Sequence, residues 1–467
     1  MKVTFWGAAR QVTGSMHMLT LDNGYKILID CGMDYELKRN PVYTENIFPF
    51  NPADIDVVVL THAHIDHSGN LPALIYNGFR GSVLCTPATA DLTKFLLYDS
   101  ANIQLGDYKK NLAHARKSRR DMVPKPLYSI KQVKETTERF VTLNFNNPFK
   151  ITEELTITMI EAGHLLGAAS VKIDITENGK AKSIGFTGDL GRRNSKLVRD
   201  PEIMTGIDYL VTESTYGGRK HKITRDAESE LAEYIQNTCV AVRGRLVIPA
   251  FSVGRTQSIV FTLHQLKMKG LLPDIKVFVD SPLAIRSTAV YEKYENLLNE
   301  EAANFHKAYG SLFEFENLKY IDDSAHHDEL LYHYDPCIII SAAGMVEGGR
   351  IQEHVMNNIE NPFSTILIAG FCAEGTLGHR LLSGQSTISI KGKDRKVLAK
   401  IASTDVFSSH PDSDQVFDYV KQTCDRGTKK VFLVHGEEEQ LLFMQKRLNE
   451  AGIKDVELPM QKQEFIL

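Results

Sequence analysis

The segment Thr61-His62-Ala63-His64-Ile65-Asp66-His67-Ser68-Gly69 packs three imidazoles and one carboxylate into six positions, directly after the apolar run Val57-Val58-Val59-Leu60. An extended segment projects residues i and i+2 the same way, so His62 and His64 can hold one cation. Asp66 and His67 lie beyond the turn and aim elsewhere, which suits a second cation nearby. Imidazole mixed with carboxylate favours zinc or a similar first-row metal, whereas magnesium and calcium prefer oxygen donors. With 16 histidines in 467 residues, an HxHxDH pattern arises by chance in roughly one chain per thousand of this length.

A cation needs three or four protein ligands, so others must come from downstream. In Ile160-Glu161-Ala162-Gly163-His164 a histidine sits just past a strand-like run, and in Phe186-Thr187-Gly188-Asp189 an aspartate does the same. Both share the strand-end position of the first motif. An aspartate there can bridge two cations through its two oxygens.

The elements that must carry these residues are dense in strands. Runs at 3–6, 17–21, 25–29, 57–60, 82–85, 155–160, 170–175 and 183–187 read as strands between turn signals. A helix is expected from Thr86-Pro87, with threonine as N-cap and proline in the first turn, ending before Pro124. Its far end carries Lys109, Lys110, Arg116, Lys117, Arg119 and Arg120, read as a solvated charged face or a phosphate-tracking arm. Past Glu213 the texture changes to helix–strand alternation: helices over 228–242 and 254–269, strands over 245–251, 275–279, 336–341 and 365–370. Short apolar strands between such helices describe a parallel, doubly wound sheet.

A glycine-rich stretch, Gly344, Gly348, Gly349 and Arg350, follows the 338–340 strand. Its amides can cradle a phosphate with Arg350 assisting, and Ser281 and Thr376 fall at similar strand ends.

Composition restricts the class further. The 54 basic and 58 acidic side chains leave a net charge of −4, so no global basic field exists, although a local positive groove suffices for nucleic acid. The six cysteines form no CxxC pair and read as reduced core residues. The chain moves from Met1 straight into strand-like sequence without a signal peptide, and no apolar run nears the ~20 residues of a membrane span. A soluble, cytoplasmic protein without a membrane partner is expected.

Taken together, HxHxDH, Gly163-His164 and Gly188-Asp189 resemble the metallo-β-lactamase superfamily, and Gly7–Ser15 with Leu28-Ile29-Asp30-Cys31-Gly32 look like its opening hairpin. Thr212-Glu213-Ser214-Thr215-Tyr216-Gly217, Phe407-Ser408-Ser409-His410 and Val434-His435-Gly436-Glu437 resemble the signature motifs of its β-CASP branch. The likeness spans essentially the whole chain and is nearest to prokaryotic relatives of the pre-mRNA cleavage endonuclease. It implies an αββα sandwich with an inserted β-CASP domain of doubly wound parallel sheet, divided as 1–213, 214–400 and 401–467. It implies two zinc ions: His62, His64 and His164 hold the first, Asp66, His67 and His435 the second, with Asp189 bridging. His410 would be the general acid, oriented by Glu213, and Asp66 also belongs to the catalytic set. A histidine at position 435 goes with RNA rather than DNA in this branch, and Ser409 stands where alanine is common.

The expected activity is therefore endonucleolytic hydrolysis of single-stranded RNA by a two-metal mechanism in the cleft between the two domains. Cations about 3.5–4 Å apart stabilise the charge of an in-line attack, and a histidine beside a carboxylate can protonate the leaving oxygen. A hydrolase of small esters or lactones, a DNA nuclease and a metal-free binding scaffold are the competing classes. A homodimer is allowed only by likeness to prokaryotic relatives.

Overall fold

The computed structural model describes residues 1–34, 47–118, 123–222, 225–424 and 427–467. The chain forms two compact units: Met1–Arg193 with Asp200–Lys220 and His410–Leu467, and Asn194–Arg199 with His221–Ser409. The divisions expected at 213/214 and 400/401 differ from these edges, which fall at 220/221 and 409/410.

In the first unit, alternation along the strands builds two seven-stranded sheets. One runs, in spatial order, Glu464–Ile466, Lys2–Phe5, His17–Thr20, Lys26–Ile29, Val57–Val59, Ser82–Cys85 and Phe140–Thr142. Its first four strands pair antiparallel and the rest parallel. The other runs Val456–Glu457, Lys430–Val434, Tyr209–Glu213, Lys180–Phe186, Ala169–Glu177, Leu155–Glu161 and Phe149–Thr152. In Ala169–Glu177, Val171, Ile173 and Ile175 are buried while Lys172 and Asp174 are not, the period-two pattern of a sheet with one covered face. Those side chains meet Val3, Phe5, Leu19, Ile27 and Ile29 of the facing sheet in one core. Burying each aliphatic or aromatic side chain contributes about 1.5–3 kcal/mol, so an Ile173→Asp change would split the layers.

Helices cover the outer faces. Leu71, Leu74, Leu97 and Val133 pack on Leu28, Val58 and Val83. On the other side Val416, Val420, Leu441, Met444 and Leu448 pack on Leu210, Val431 and Leu433. The result is the expected αββα order of layers. The helix expected at Thr86 spans Pro87–Ser118, with Thr86 Oγ1 accepting the Thr89 N–H at 3.2 Å. Of its basic end, Arg119, Arg120 and the side chains of Arg116 and Lys117 lie outside the described residues.

The second unit holds a six-stranded, wholly parallel sheet in the order Leu318–Tyr320, Lys276–Val279, Cys337–Ser341, Arg245–Pro249, Thr365–Ile368, Lys400–Ser403. Its central strands are buried throughout, as Leu246, Val247, Ile338, Ile339 and Ile340 require of a sheet covered on both faces. The helix expected over 228–242 is α-helical over Ala227–Ile235 and continues as π-helix over Gln236–Ala241. All six cysteines are free and five are buried. Among the described residues no helix is long and apolar enough to cross a membrane.

Candidate metal centre

Strand ends and the turns after them gather the sequence-predicted ligands in the first unit. The strand Val57–Val59 delivers His62, and His64 precedes the single-turn helix Ile65–Ser68, which carries Asp66 and His67. Glycine is needed at 188, where φ is +55° and a Cβ would lie 2.7 Å from the Thr61 Cβ; the turn it makes brings Asp189 under the histidines. The hydroxyls of Thr86 and Thr89 donate to the Gly167 carbonyl at 2.7 and 2.8 Å, fixing the turn behind His164. His435 ends the strand Lys430–Val434 in a left-handed conformation, φ 51°, which a non-glycine residue adopts at a cost of about 1–3 kcal/mol and which clusters at functional sites.

Two donor sets result. His62 Nε2 and His164 Nε2 each lie 3.2 Å from His64 Nδ1, and Asp189 Oδ2 lies 3.6 and 3.7 Å from the same two Nε2 atoms. His67 Nε2 lies 3.2 Å from His435 Nε2 and 3.2 Å from Asp189 Oδ1, and Asp66 Oδ2 lies 3.6 Å from His435 Nε2. Asp189 thus turns one oxygen to each set.

Second-layer contacts aim the rings. Asp30 accepts from His67 Nδ1 at 2.7 Å and is itself held by the Thr61 N–H and hydroxyl at 2.8 and 2.9 Å. The Thr61 hydroxyl also lies 3.1 Å from His62 Nδ1, and the Thr215 hydroxyl 3.1 Å from His435 Nδ1. Imidazoles oriented through their far nitrogen are the usual partners of a bound metal. Of these, Asp30 appeared in the sequence only as part of the opening-hairpin likeness, and Thr61 and Thr215 only as members of their motifs.

The electrostatics of three imidazoles and two carboxylates fit divalent cations; His67 is the exception, held well above the ordinary imidazole pKa by Asp189 and Asp30 against its burial. Burial and the neighbouring His67 hold His62 well below the ordinary imidazole pKa, burial and His410 do the same for His164, and burial takes His64 down to about 4. Neutral imidazole is the ligating form. Burial opposes ionisation of Asp189, yet His435 and His67 keep it well below the carboxylate range; against the same opposition, the His435 contact takes Asp66 to about 2. Asp189 Oδ1 is buried without a hydrogen-bond partner, although buried acceptors are nearly always paired. Donors about 2.0–2.2 Å from a tetrahedral zinc stand roughly 3.3–3.5 Å apart, close to the separations observed. The residues present fit a pair of metal ions.

Beside the donors, His410 Nδ1 lies 3.1 Å from Glu213 Oε1, and His410 Nε2 lies 4.0 Å from Asp189 Oδ2. Glu213 is fixed by the Leu190 N–H at 2.7 Å and the Thr215 N–H at 3.2 Å. Burial works against charge on His410, but the Glu213 carboxylate prevails and raises its pKa.

The residues read as phosphate contacts belong to the second unit. Ser281 Oγ accepts the Ala284 N–H at 3.3 Å, and Thr376 Oγ1 accepts the His379 N–H at 3.3 Å, so both cap helices. Arg350 Nη1 donates to Asp280 Oδ1 at 2.7 Å and to the Ile321 carbonyl, and Nη2 to the Asp322 carbonyl. Its guanidinium braces these segments of the second unit. Gly344, Gly348 and Gly349 do follow the strand Cys337–Ser341, and at Gly349 a Cβ would strike the Ala342 carbonyl.

Two face-packed sheets with a buried His/Asp cluster at their strand ends define a metallo-β-lactamase fold. Sequence profiles agree: a metallo-beta-lactamase superfamily domain matches residues 18–182, a Beta-Casp domain 256–381, and a Zn-dependent metallo-hydrolase RNA specificity domain 394–459. A Thermus thermophilus ribonuclease is 30% identical over 97% of both chains. The Methanosarcina mazei transcription termination factor FttA is 30% identical over 94% of this chain and 67% of its own. An RNase J-like protein of Methanocaldococcus jannaschii is 28% identical over 94% of this chain and 93% of its own. A crystal structure of an Enterococcus faecalis protein of unknown function shares the fold, with a TM-score of 0.55 at 14% identity over 100% of this chain and 99% of that one. This chain belongs to the β-CASP branch of the metallo-β-lactamase superfamily.

Proposed function

We propose that the protein is a zinc-dependent endoribonuclease that hydrolyses phosphodiester bonds of single-stranded RNA. The observation carrying this reading is the convergence of seven donors in two sets around Asp189, with the His410–Glu213 pair alongside. His62, His64 and His164 would hold one zinc ion, Asp66, His67 and His435 the other, and Asp189 both. Two such ions supply Lewis acidity to a phosphoryl oxygen and lower the pKa of a water.

His410 acts on the leaving group. In its protonated form it donates from Nε2 to the 3′-oxygen as the P–O3′ bond breaks, while the oxygen of water joins phosphorus and the proton that water gives up passes to solvent. The products are a 3′-hydroxyl and a 5′-phosphate. Glu213, locked by two backbone N–H groups, keeps the imidazole charged and aimed. Ser281, Gly344, Gly348, Gly349, Arg350 and Thr376, all in the second unit, are the phosphate contacts of this reading.

RNA as substrate is supported by the RNA-specificity profile at 394–459 and by the ribonuclease names of two relatives. The test is zinc-loaded protein incubated with single-stranded RNA, matching DNA and a panel of lactones. RNA cut internally, faster than the other two are hydrolysed, is expected; preferential DNA or lactone hydrolysis would refute the proposal.

A further inference from the structure

His17 lies in the strand His17–Thr20 of the first sheet and is 4% exposed. Its ring meets Phe5 edge-on at 5.3 Å and stacks on Phe186 at 6.4 Å, inside the core between the sheets. Such a place ordinarily takes an aliphatic side chain, so an imidazole there needs a polar reason. Nε2 lies 3.5 Å from the Ser15 hydroxyl, while Nδ1 has no protein partner. An unmatched buried donor costs about 1–3 kcal/mol. Burial takes the His17 pKa down to about 3, so the ring is neutral with a single N–H.

A small chamber adjoins it. Its polar lining consists of Ser15, His17, Thr187 and members of the second donor set and its support: Asp30, His67, Asp189 and His435. There is room for about one water, which needs two to four polar partners. Two lining atoms are buried without one, His17 Nδ1 and Asp189 Oδ1. A carboxylate oxygen has two lone pairs, so Asp189 Oδ1 can serve a cation and still accept a hydrogen bond.

We propose that this chamber holds one ordered water linking His17 Nδ1 to Asp189, making His17 a positioning residue for the second metal site. Ser15 donates to Nε2, the Nδ1–H donates to the water, and the water donates to Asp189. Ser15 reports on the same site through its backbone, since its N–H bonds the Asp66 carbonyl at 2.8 Å. The inference rests on the metal-centre reading above.

Three full-length proteins test it: the parent, His17→Phe and His17→Asn. The ring of phenylalanine keeps the packing on Phe5 and Phe186 without a donor, whereas the asparagine amide restores a donor near Nδ1 without the ring. Zinc per chain is followed by elemental analysis during a chelator titration, and thermal unfolding of the metal-stripped proteins checks the fold. Loss of an outer-layer partner weakens metal binding about 10–100-fold. His17→Phe should therefore lose its second zinc at about 10-fold lower chelator, with the first zinc and the metal-free unfolding temperature held, and His17→Asn should stay near the parent. Retention of both zincs by His17→Phe, or equal losses in the two variants, would overturn the water link while leaving the metal centre standing. A parent that binds one zinc would remove both.

Discussion

Among the described residues, Asp189 and Asp280 are each surrounded by histidines, and their contacts differ. Asp189, in the first unit, stands 3.2–3.7 Å from the nitrogens of His62, His67 and His164, and one of its oxygens has no hydrogen bond. Asp280, in the second unit, stands 2.5 Å from both His327 Nδ1 and His354 Nε2, and its other oxygen accepts from Arg350 at 2.7 Å. Separations of 2.5 Å leave room for a shared proton and none for a cation between the atoms. His327 is also bound at its far nitrogen by Glu353, at 3.2 Å. Short hydrogen bonds and a guanidinium close the second cluster, while the donors of the first stand farther apart and leave one carboxylate oxygen without a hydrogen bond. Residue type alone does not distinguish a ligand from a brace; donor separation and leftover lone pairs do.

The contrast can be broken from either side. Asp189→Ala removes the group common to both donor sets, so zinc and RNA cleavage should fall to background together. Two zincs per chain by elemental analysis of that variant would contradict its bridging place. His410→Ala should slow RNA cleavage about 10²–10⁴-fold, the size expected for a general acid, with both zincs retained. Undiminished turnover would take His410 out of the mechanism.

Asp280→Asn addresses the other cluster. Breaking one member of a buried, charge-paired network costs about 3–5 kcal/mol, and denaturant unfolding should show a loss of that order with zinc content unchanged. A zinc lost with no change in stability would make Asp280 a ligand and erase the distinction. The mildest change is Glu213→Gln. His410 is active when protonated, and Glu213 raises its pKa, so the proton-donating form persists to higher pH than in an unassisted imidazole. Activity should be lost as pH rises through that raised value. Removing the carboxylate should therefore shift the alkaline limb of kcat/KM to lower pH, and an unmoved limb would deny the pairing its role.

How much of this could be read from the sequence varied with how local each signal is. Four of the proposed ligands fall within residues 62–67, and strand-end placement made His164 and Asp189 candidates, so the members of the cluster were visible without a structure. Glu213 and His410 are 197 residues apart and His67 and His435 368 apart, so their pairing rested on family likeness alone. Arg350 shows the same limit: its glycine-rich neighbours suggest a phosphate loop, while nothing in the sequence marks its hydrogen-bond partner Asp280, 70 residues away. Asp280, His327 and His354 carry no shared pattern at all, being joined only where parallel strands and their following helices meet. The alternation that built the sheets, by contrast, is a local property, and the strand runs and the helix at Thr86 were placed to within a few residues.

The central claim is that Asp189 and the six side chains around it bind two metal ions and that the Asp280 cluster binds none. Anomalous diffraction at the zinc edge, from crystals of zinc-loaded protein, tests it directly. The account predicts two peaks about 3.5–4 Å apart, one among His62, His64, His164 and Asp189 and one among Asp66, His67, His435 and Asp189, with no peak at Asp280. A single peak, none, or a peak between Asp280 and His354 would contradict it.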